Sequence, residues 1–157
     1  MTTTHPSEIT IGLISDTHGL LRPQALEALA AVDRIIHAGD IGGPQILERL
    51  RAIAPLDVVR GNNDTGPWAR EIPETLNLLI GGLRIHVLHN MKELGAAPAG
   101  TRVIIAGHSH RPSIIETEGV LRINPGSAGP RRFSLPVSLG YLVIANATAR
   151  SRIAEIL

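Results

Sequence analysis

The feature that most limits how this chain can fold is a series of short apolar runs, each stopped by a small cluster holding Gly with Asp, Asn or His. Ile9 to Ser15 is apolar and β-branched and leads into Asp16-Thr17-His18-Gly19. Arg34 to His37 leads into Ala38-Gly39-Asp40, and Asp57 to Arg60 into Gly61-Asn62-Asn63-Asp64. Apolar runs of this length suit strands buried on both faces, as in parallel sheets. Between them the spacing turns helical. Ala25, Leu26, Leu29 and Ala30 follow Pro23, and Ile46, Leu47, Leu50 and Ile53 follow Pro44, each proline falling where a first helical turn tolerates it. A βαβαβ order of this kind implies a parallel sheet with helices packed on it.

The second half changes character. Leu76 to Ile80 and Leu83 to Leu88 flank Gly81-Gly82, and Ser113 to Thr117 and Val120 to Ile123 flank Glu118-Gly119, two hairpin signals. Arg102 to Ala106 reads as a further buried strand. Tyr141 to Ile144 and Arg152 to Leu157 are closing strands, the last equally readable as a helix. Asn124 to Pro136, rich in Gly, Pro, Ser and Arg, is a loop. Repeats, low-complexity tracts and linkers are absent, so residues 1–157 are expected to form one layered α/β domain with paired sheets and helices outside.

Composition narrows the partners. Hydrophobic residues make up 43% and charged residues 18%, enough to fold around a core. With one Trp, one Tyr and one Phe, that core is aliphatic and little surface remains for stacking bases. A net charge of +1 also argues against a stable nucleic-acid complex. The absence of Cys removes disulfides, thiolate zinc sites and thiol nucleophiles, and fits a reducing compartment. Thr2 to Glu8 is polar and does not resemble a signal peptide. Leu76 to Leu88, interrupted by Gly81, Gly82 and Arg84, is too short to span a bilayer. A soluble cytoplasmic protein is the expectation.

The chemistry sits where the strands stop. To the three clusters above are added Leu88-His89-Asn90 and Gly107-His108-Ser109-His110. Ligands of open α/β sheets bind beyond the carboxyl ends of the strands. Alternation along an extended chain points Asp16 and His18 the same way, and likewise His108 and His110. Carboxylate, amide oxygen and imidazole together suit Mn, Fe, Co, Ni or Zn and suit calcium poorly. The donors outnumber what one ion needs, and a carboxylate can bridge two ions roughly 3.5–4 Å apart that clamp a phosphate.

Other polar residues read more plainly. His37 is a packed residue or a support to a ligand, His86 is out of phase with His89, and His5 lies in the tail. Asp64-Thr65-Gly66 resembles an aspartic-protease signature but lies inside the Asn62 cluster. Ser127 lacks the order of a nucleophile elbow. Asn146-Ala147-Thr148 fits a glycosylation sequon without a route to the secretory pathway. Arg131 and Arg132 can grip a phosphate or merely solvate a surface.

Taken in order, Asp16-Thr17-His18, Gly39-Asp40, Gly61-Asn62-Asn63-Asp64, His89 and Gly107-His108-Ser109-His110 resemble the motifs of the calcineurin-like metallophosphoesterases. Asn124-Pro125-Gly126-Ser127 and the short length resemble the small bacterial and archaeal phosphodiesterases, whose fold the retromer subunit Vps29 shares. The resemblance implies a four-layer α/β/β/α sandwich with two mixed sheets. It implies Asp16, His18 and His110 on one ion, Asn62, His89 and His108 on a second, and Asp40 bridging. Two divalent ions follow, with manganese expected and Ni, Co, Zn or Fe as alternatives, and a bridging hydroxide that attacks phosphorus in line. A small phosphodiester is the implied substrate, with Asn63, Asn124 and Arg131 on its side of the site and Asn63 the candidate catalytic group; a homo-oligomer is compatible with this reading. The alternatives are a Vps29-like protein-binding scaffold with a vestigial metal site and a phosphomonoesterase or nucleotide pyrophosphatase.

Two positions depart from the pattern. Larger members carry His where this chain has Asn63, and an amide cannot deliver a proton at neutral pH. That favours diesters with good leaving groups. Relatives commonly carry Gly-His where this chain has Asn90-Met91, and Asn90 is expected to supply the left-handed backbone in place of Gly.

Overall fold

The computed structural model describes residues 8–157, so the N-terminal tail with His5 lies outside the described residues. The strands are β1 (Ile9–Ile14), β2 (Arg34–His37), β3 (Leu56–Val58), β4 (Thr75–Ile80), β5 (Leu83–Leu88), β6 (Thr101–Ile105), β7 (Ser113–Thr117), β8 (Val120–Asn124), β9 (Ser138–Ala145) and β10 (Thr148–Glu155). Helix α1 (Pro23–Leu29) joins β1 to β2, and α2 (Pro44–Arg51) joins β2 to β3. Both helices begin on the proline expected to open them. Two five-stranded sheets result, in the orders β10-β9-β1-β2-β3 and β4-β5-β6-β8-β7. Both are mixed. Parallel β1-β2-β3 and β5-β6-β8 cores carry antiparallel strands at their edges.

Alternation within each strand builds the layers. On β1 and β2, Leu13 and Ile36 face the other sheet while Ile14 and Ile35 face the helices. The inter-sheet core adds Ile85, Val87, Val103, Ile105, Ile123, Leu142 and Ile144. Ala25 and Leu29 of α1 and Ile46, Leu47 and Leu50 of α2 close over the first sheet. The second sheet's outer face is covered more thinly. A 3-10 turn at Met91–Glu93 brings Met91 and Leu94 over Leu88, Ile104 and Ala106. Among the described residues no helix is long and apolar enough to cross a membrane.

Two segments differ from expectation. β3 runs Leu56–Val58 rather than 57–60, because the Arg60 N–H leaves the ladder to donate to Pro73 O at 2.8 Å. The C-terminal segment is a strand, not a helix. β9 and β10 pair over eight residues each, through Asn146 and Ala147 with φ of 53° and 55°. This left-handed turn is the one that twisted hairpins favour. The pairing also lays the Arg152 guanidinium over the Tyr141 ring, 4.2 Å from its centroid.

Because Ile36 is fully buried between sheets and Leu79 is 66% exposed, truncation should separate the two faces. Ile36→Ala is expected to cost about 2–5 kcal/mol and Leu79→Ala less than about 0.5 kcal/mol in urea unfolding. Equal losses would contradict the assignment of the inter-sheet core.

Candidate metal centre

The loops at the carboxyl ends of the strands are tied to one another before any ligand is considered. Asp16 N donates to Gly39 O at 3.0 Å, His18 N to Asp40 O at 3.0 Å and Gly19 N to Ile41 O at 2.8 Å. Within the second sheet Gly107 N donates to His89 O at 2.9 Å, and across the sheets His108 N donates to the Asp16 carboxylate at 3.1 Å. Gly107 has to be glycine, since a Cβ there would fall on the Ser15 hydroxyl and the Asp16 carboxylate. Asp16, His18, Asp40, His108 and His110 all have φ between 45° and 72°. Among the described residues they are five of the nine non-glycine residues with such backbone, so the strain is concentrated here.

Two groups that could hold a metal ion emerge. Asp16, His18 and His110 form one, and Asp40, His89 and His108 the other, each with ligand atoms within 4.8 Å of one another. In the first, His110 Nε2 lies 3.4 Å and His18 Nε2 3.8 Å from Asp16 Oδ1. In the second, His89 Nε2 is 3.2 Å from Asp40 Oδ2, and His108 Nδ1 is 3.3 Å from His89 Nε2 and 3.2 Å from Asn62 Oδ1. Asp40 Oδ2 also lies 3.8 Å from His18 Nε2, so this carboxylate stands between the groups.

These residues fit metal ions on their own chemistry. Asp16 Oδ1 is buried with no hydrogen-bond partner, although it faces the nitrogens of three imidazoles. Asp16 Oδ2, by contrast, accepts from Ser15 Oγ at 2.7 Å and from His108 N. The Nε2 atoms of His18 and His110 approach to 3.4 Å, where two lone pairs repel unless a proton or a cation lies near. His89 Nδ1 donates to Ala38 O at 2.7 Å, which leaves Nε2 of the neutral ring as a lone pair facing Asp40.

The electrostatics favour cations. Burial acts to raise the Asp16 carboxyl, but the nearby His110 ring, the hydrogen bond from Ser15 and the charges of His89 and His110 outweigh it and lower it. Asp40 is likewise lowered far below the carboxylate range, burial being outweighed by contacts with His89 and Asn63. Burial lowers His18. For His89 burial also acts downward, but Asp40 and Asp16 together raise it. Both carboxylates therefore stay ionised among the imidazoles.

The remaining sequence candidates have more local tasks. Asn63 is exposed, its backbone N–H donating to Asp40 Oδ1 at 2.9 Å and its Nδ2 to Oδ2 at 3.0 Å. The Asn124 amide is committed to the chain itself. Its Nδ2 donates to Gly107 O and Ser109 Oγ at 3.0 Å, and its Oδ1 accepts from Gly126 N at 2.9 Å, propping the His108–His110 turn. Arg131 is exposed, while Arg132 is among the charges that act on His18. Asn90 does not supply a left-handed backbone. Its φ is −119°, because its side chain caps the Met91–Glu93 turn by accepting from Lys92 N. His37 packs as expected. Its Nδ1 accepts from Gly39 N, so Nε2 donates to Thr17 Oγ1 at 2.9 Å, and burial pushes its pKa down to about 4. His86 pairs with Asn77 on the outer face of the second sheet.

Asp64 carries the structural role that the sequence reading missed. It is buried, and its carboxylate accepts from Ile41 N at 2.9 Å, Gly42 N at 3.2 Å and Gly61 N at 2.9 Å. It clamps the Asp40 turn to the Asn62 turn. The only advance signal was the tendency of Asp to bond nearby backbone in turns.

The calcineurin-like phosphoesterase superfamily domain matches residues 9–147, and the chain belongs to that superfamily. It is 36% identical over 141 residues to a probable metallophosphoesterase of Methanothermobacter thermautotrophicus, covering 80% of this chain and 81% of that one. To a phosphodiesterase of Methanocaldococcus jannaschii it is 28% identical over 137 residues, covering 74% and 82%. Vacuolar protein sorting 29 from Cryptosporidium parvum shares the fold at a TM-score of 0.76 and 19% identity, covering 94% and 97%.

Asp64→Ala leaves buried N–H groups without an acceptor and is expected to cost about 2–4 kcal/mol of stability. Manganese affinity, read by calorimetric titration, should fall with it because Asp40 loses its anchored turn. Unchanged stability and affinity would show that the clamp is dispensable.

Proposed function

We propose that this chain is a phosphodiesterase that works with two divalent ions. Asp16, His18 and His110 hold one, Asn62, His89 and His108 hold the other, and Asp40 is shared. The observation that carries this reading is the place of Asp40 Oδ2 between His18 and His89, beside the unpartnered Asp16 Oδ1. When bound, the ions supply Lewis acidity and lower the pKa of a water nucleophile. Hydrolysis forms one P–O bond from that water and breaks the P–O bond to the leaving alcohol.

The chain's own residues do the positioning. Ser15 and the His108 N–H hold Asp16 so that only Oδ1 faces the site. Ala38 O fixes the His89 ring, and Asn63 steadies Asp40. The exposed Asn63 amide would have one N–H left to donate to a phosphoryl oxygen, but it has no proton to give a departing alkoxide. Esters whose leaving groups depart as stable anions therefore suit this site. The name of the M. jannaschii relative supports a diester in particular. A donor set of carboxylate, amide and imidazole suits Mn, Fe, Co, Ni or Zn, of which the family resemblance points to manganese, and a chain without cysteine suits the cytoplasm.

Metal-stripped protein should regain hydrolysis of bis-p-nitrophenyl phosphate on adding manganese, and cleave it faster than the monoester. Asp40→Ala is expected to reduce kcat by roughly 10³-fold, since both ions lose their shared ligand. No turnover with any bound metal would favour a binding scaffold, and faster monoester cleavage a phosphomonoesterase. Asn63→His should extend turnover to diesters of poorer leaving groups, flattening the dependence of kcat on leaving-group pKa. An unchanged dependence would mean that position 63 does not face the leaving group.

A further inference from the structure

His108 and Asn90 form a wall between two clefts that open from the metal-ligand cluster. The clefts differ in charge. One, of about 400 Å³, is lined by Glu74, Glu93 and Arg60, and Arg60 is spent on Glu74 at 2.8 Å. The other, of about 480 Å³, runs over the outer face of the second sheet and is lined by Met91, Lys92, Ile115 and Arg122. Among the described residues the arginine ion pairs are Arg34–Asp57, Arg60–Glu74 and Arg150–Glu8, so neither Lys92 nor Arg122 has a carboxylate partner. Ile115, on the edge strand β7, is 56% exposed beside them. An aliphatic wall next to two unpaired cations matches an organic group that ends in an anion. The acidic cleft would repel the same group.

We propose that the groove of Met91, Ile115, Lys92 and Arg122 receives one arm of the diester and selects an apolar arm with a second anion at its far end. This rests on the diesterase reading, with the scissile phosphate at the metal ligands and the two ester arms parted by His108. Arg122 and Lys92 are specificity-determining residues here. They sit on β8 and after β5, brought to one surface by the parallel order β5-β6-β8.

Two aryl diesters of slow turnover make the test, diphenyl phosphate and 4-carboxyphenyl phenyl phosphate, the second of which keeps an uncharged arm for the acidic cleft. Binding of each is measured by titration calorimetry, on manganese-loaded and on metal-stripped protein. The carboxylated ligand is expected to bind about three- to tenfold tighter, the range of one or two partly exposed ion pairs. The double variant Arg122→Gln, Lys92→Gln should bring the ratio near one, and Arg150→Gln, which removes a like charge elsewhere, should leave it unchanged. A ratio near one in the unaltered protein overturns the proposal. So does a preference that survives the double variant, or one that Arg150→Gln removes equally. If the preference holds while bis-p-nitrophenyl phosphate is not hydrolysed with any metal, the groove stands and the diesterase reading fails.

Discussion

Much of this structure is arranged around keeping the Asp40 carboxylate ionised, immobile and exposed to imidazole on two sides. Three devices act on it. Asn63 gives it two hydrogen bonds, one from backbone and one from side chain. Asp64 ties the following turn, Ile41-Gly42, to Gly61, and Gly61 leaves space that a Cβ would take from Asp40. His18 and His89 approach from the ends of different loops, at 3.8 and 3.2 Å. A buried carboxylate costs free energy unless its charge is met, so the fold fits this site only when cations or protonated imidazoles meet it.

That constraint goes with the backbone strain. Left-handed φ at Asp16, His18, Asp40, His108 and His110 breaks the extended backbone in the loops that carry these side chains. The parallel sheet cores and the hydrogen bonds between loops hold these residues in place. Asn124 does for the His108–His110 turn what Asp64 does for the Asp40 turn, with every polar atom of its amide used inside the chain.

Much of this was legible in the sequence. Short apolar runs and the two opening prolines located β1, α1, β2 and α2, and the Gly81-Gly82 pair marked the β4–β5 turn. The β9–β10 hairpin was hidden because its turn is Asn146-Ala147, without the glycine that usually signals one, and because β10 carries Arg150 and Arg152 outward. At the site, the candidate ligands could be picked out because their side chains are the chemistry. The tasks of Asp64 and Asn124 could not, since they depend on which backbone groups a distant loop brings near. The groove of Lys92 and Arg122 was hidden for the same reason: the two lie thirty positions apart and meet only through sheet order.

The central claim is that Asp40 is shared by two ions, and the magnetic coupling of a manganese pair tests it most directly. Metal-free protein titrated with Mn(II) should bind two equivalents and give the electron paramagnetic resonance spectrum of an exchange-coupled pair. In Asp40→Ala the coupled signal should disappear. One equivalent with an isolated-ion spectrum, or coupling that survives loss of Asp40, would contradict the account.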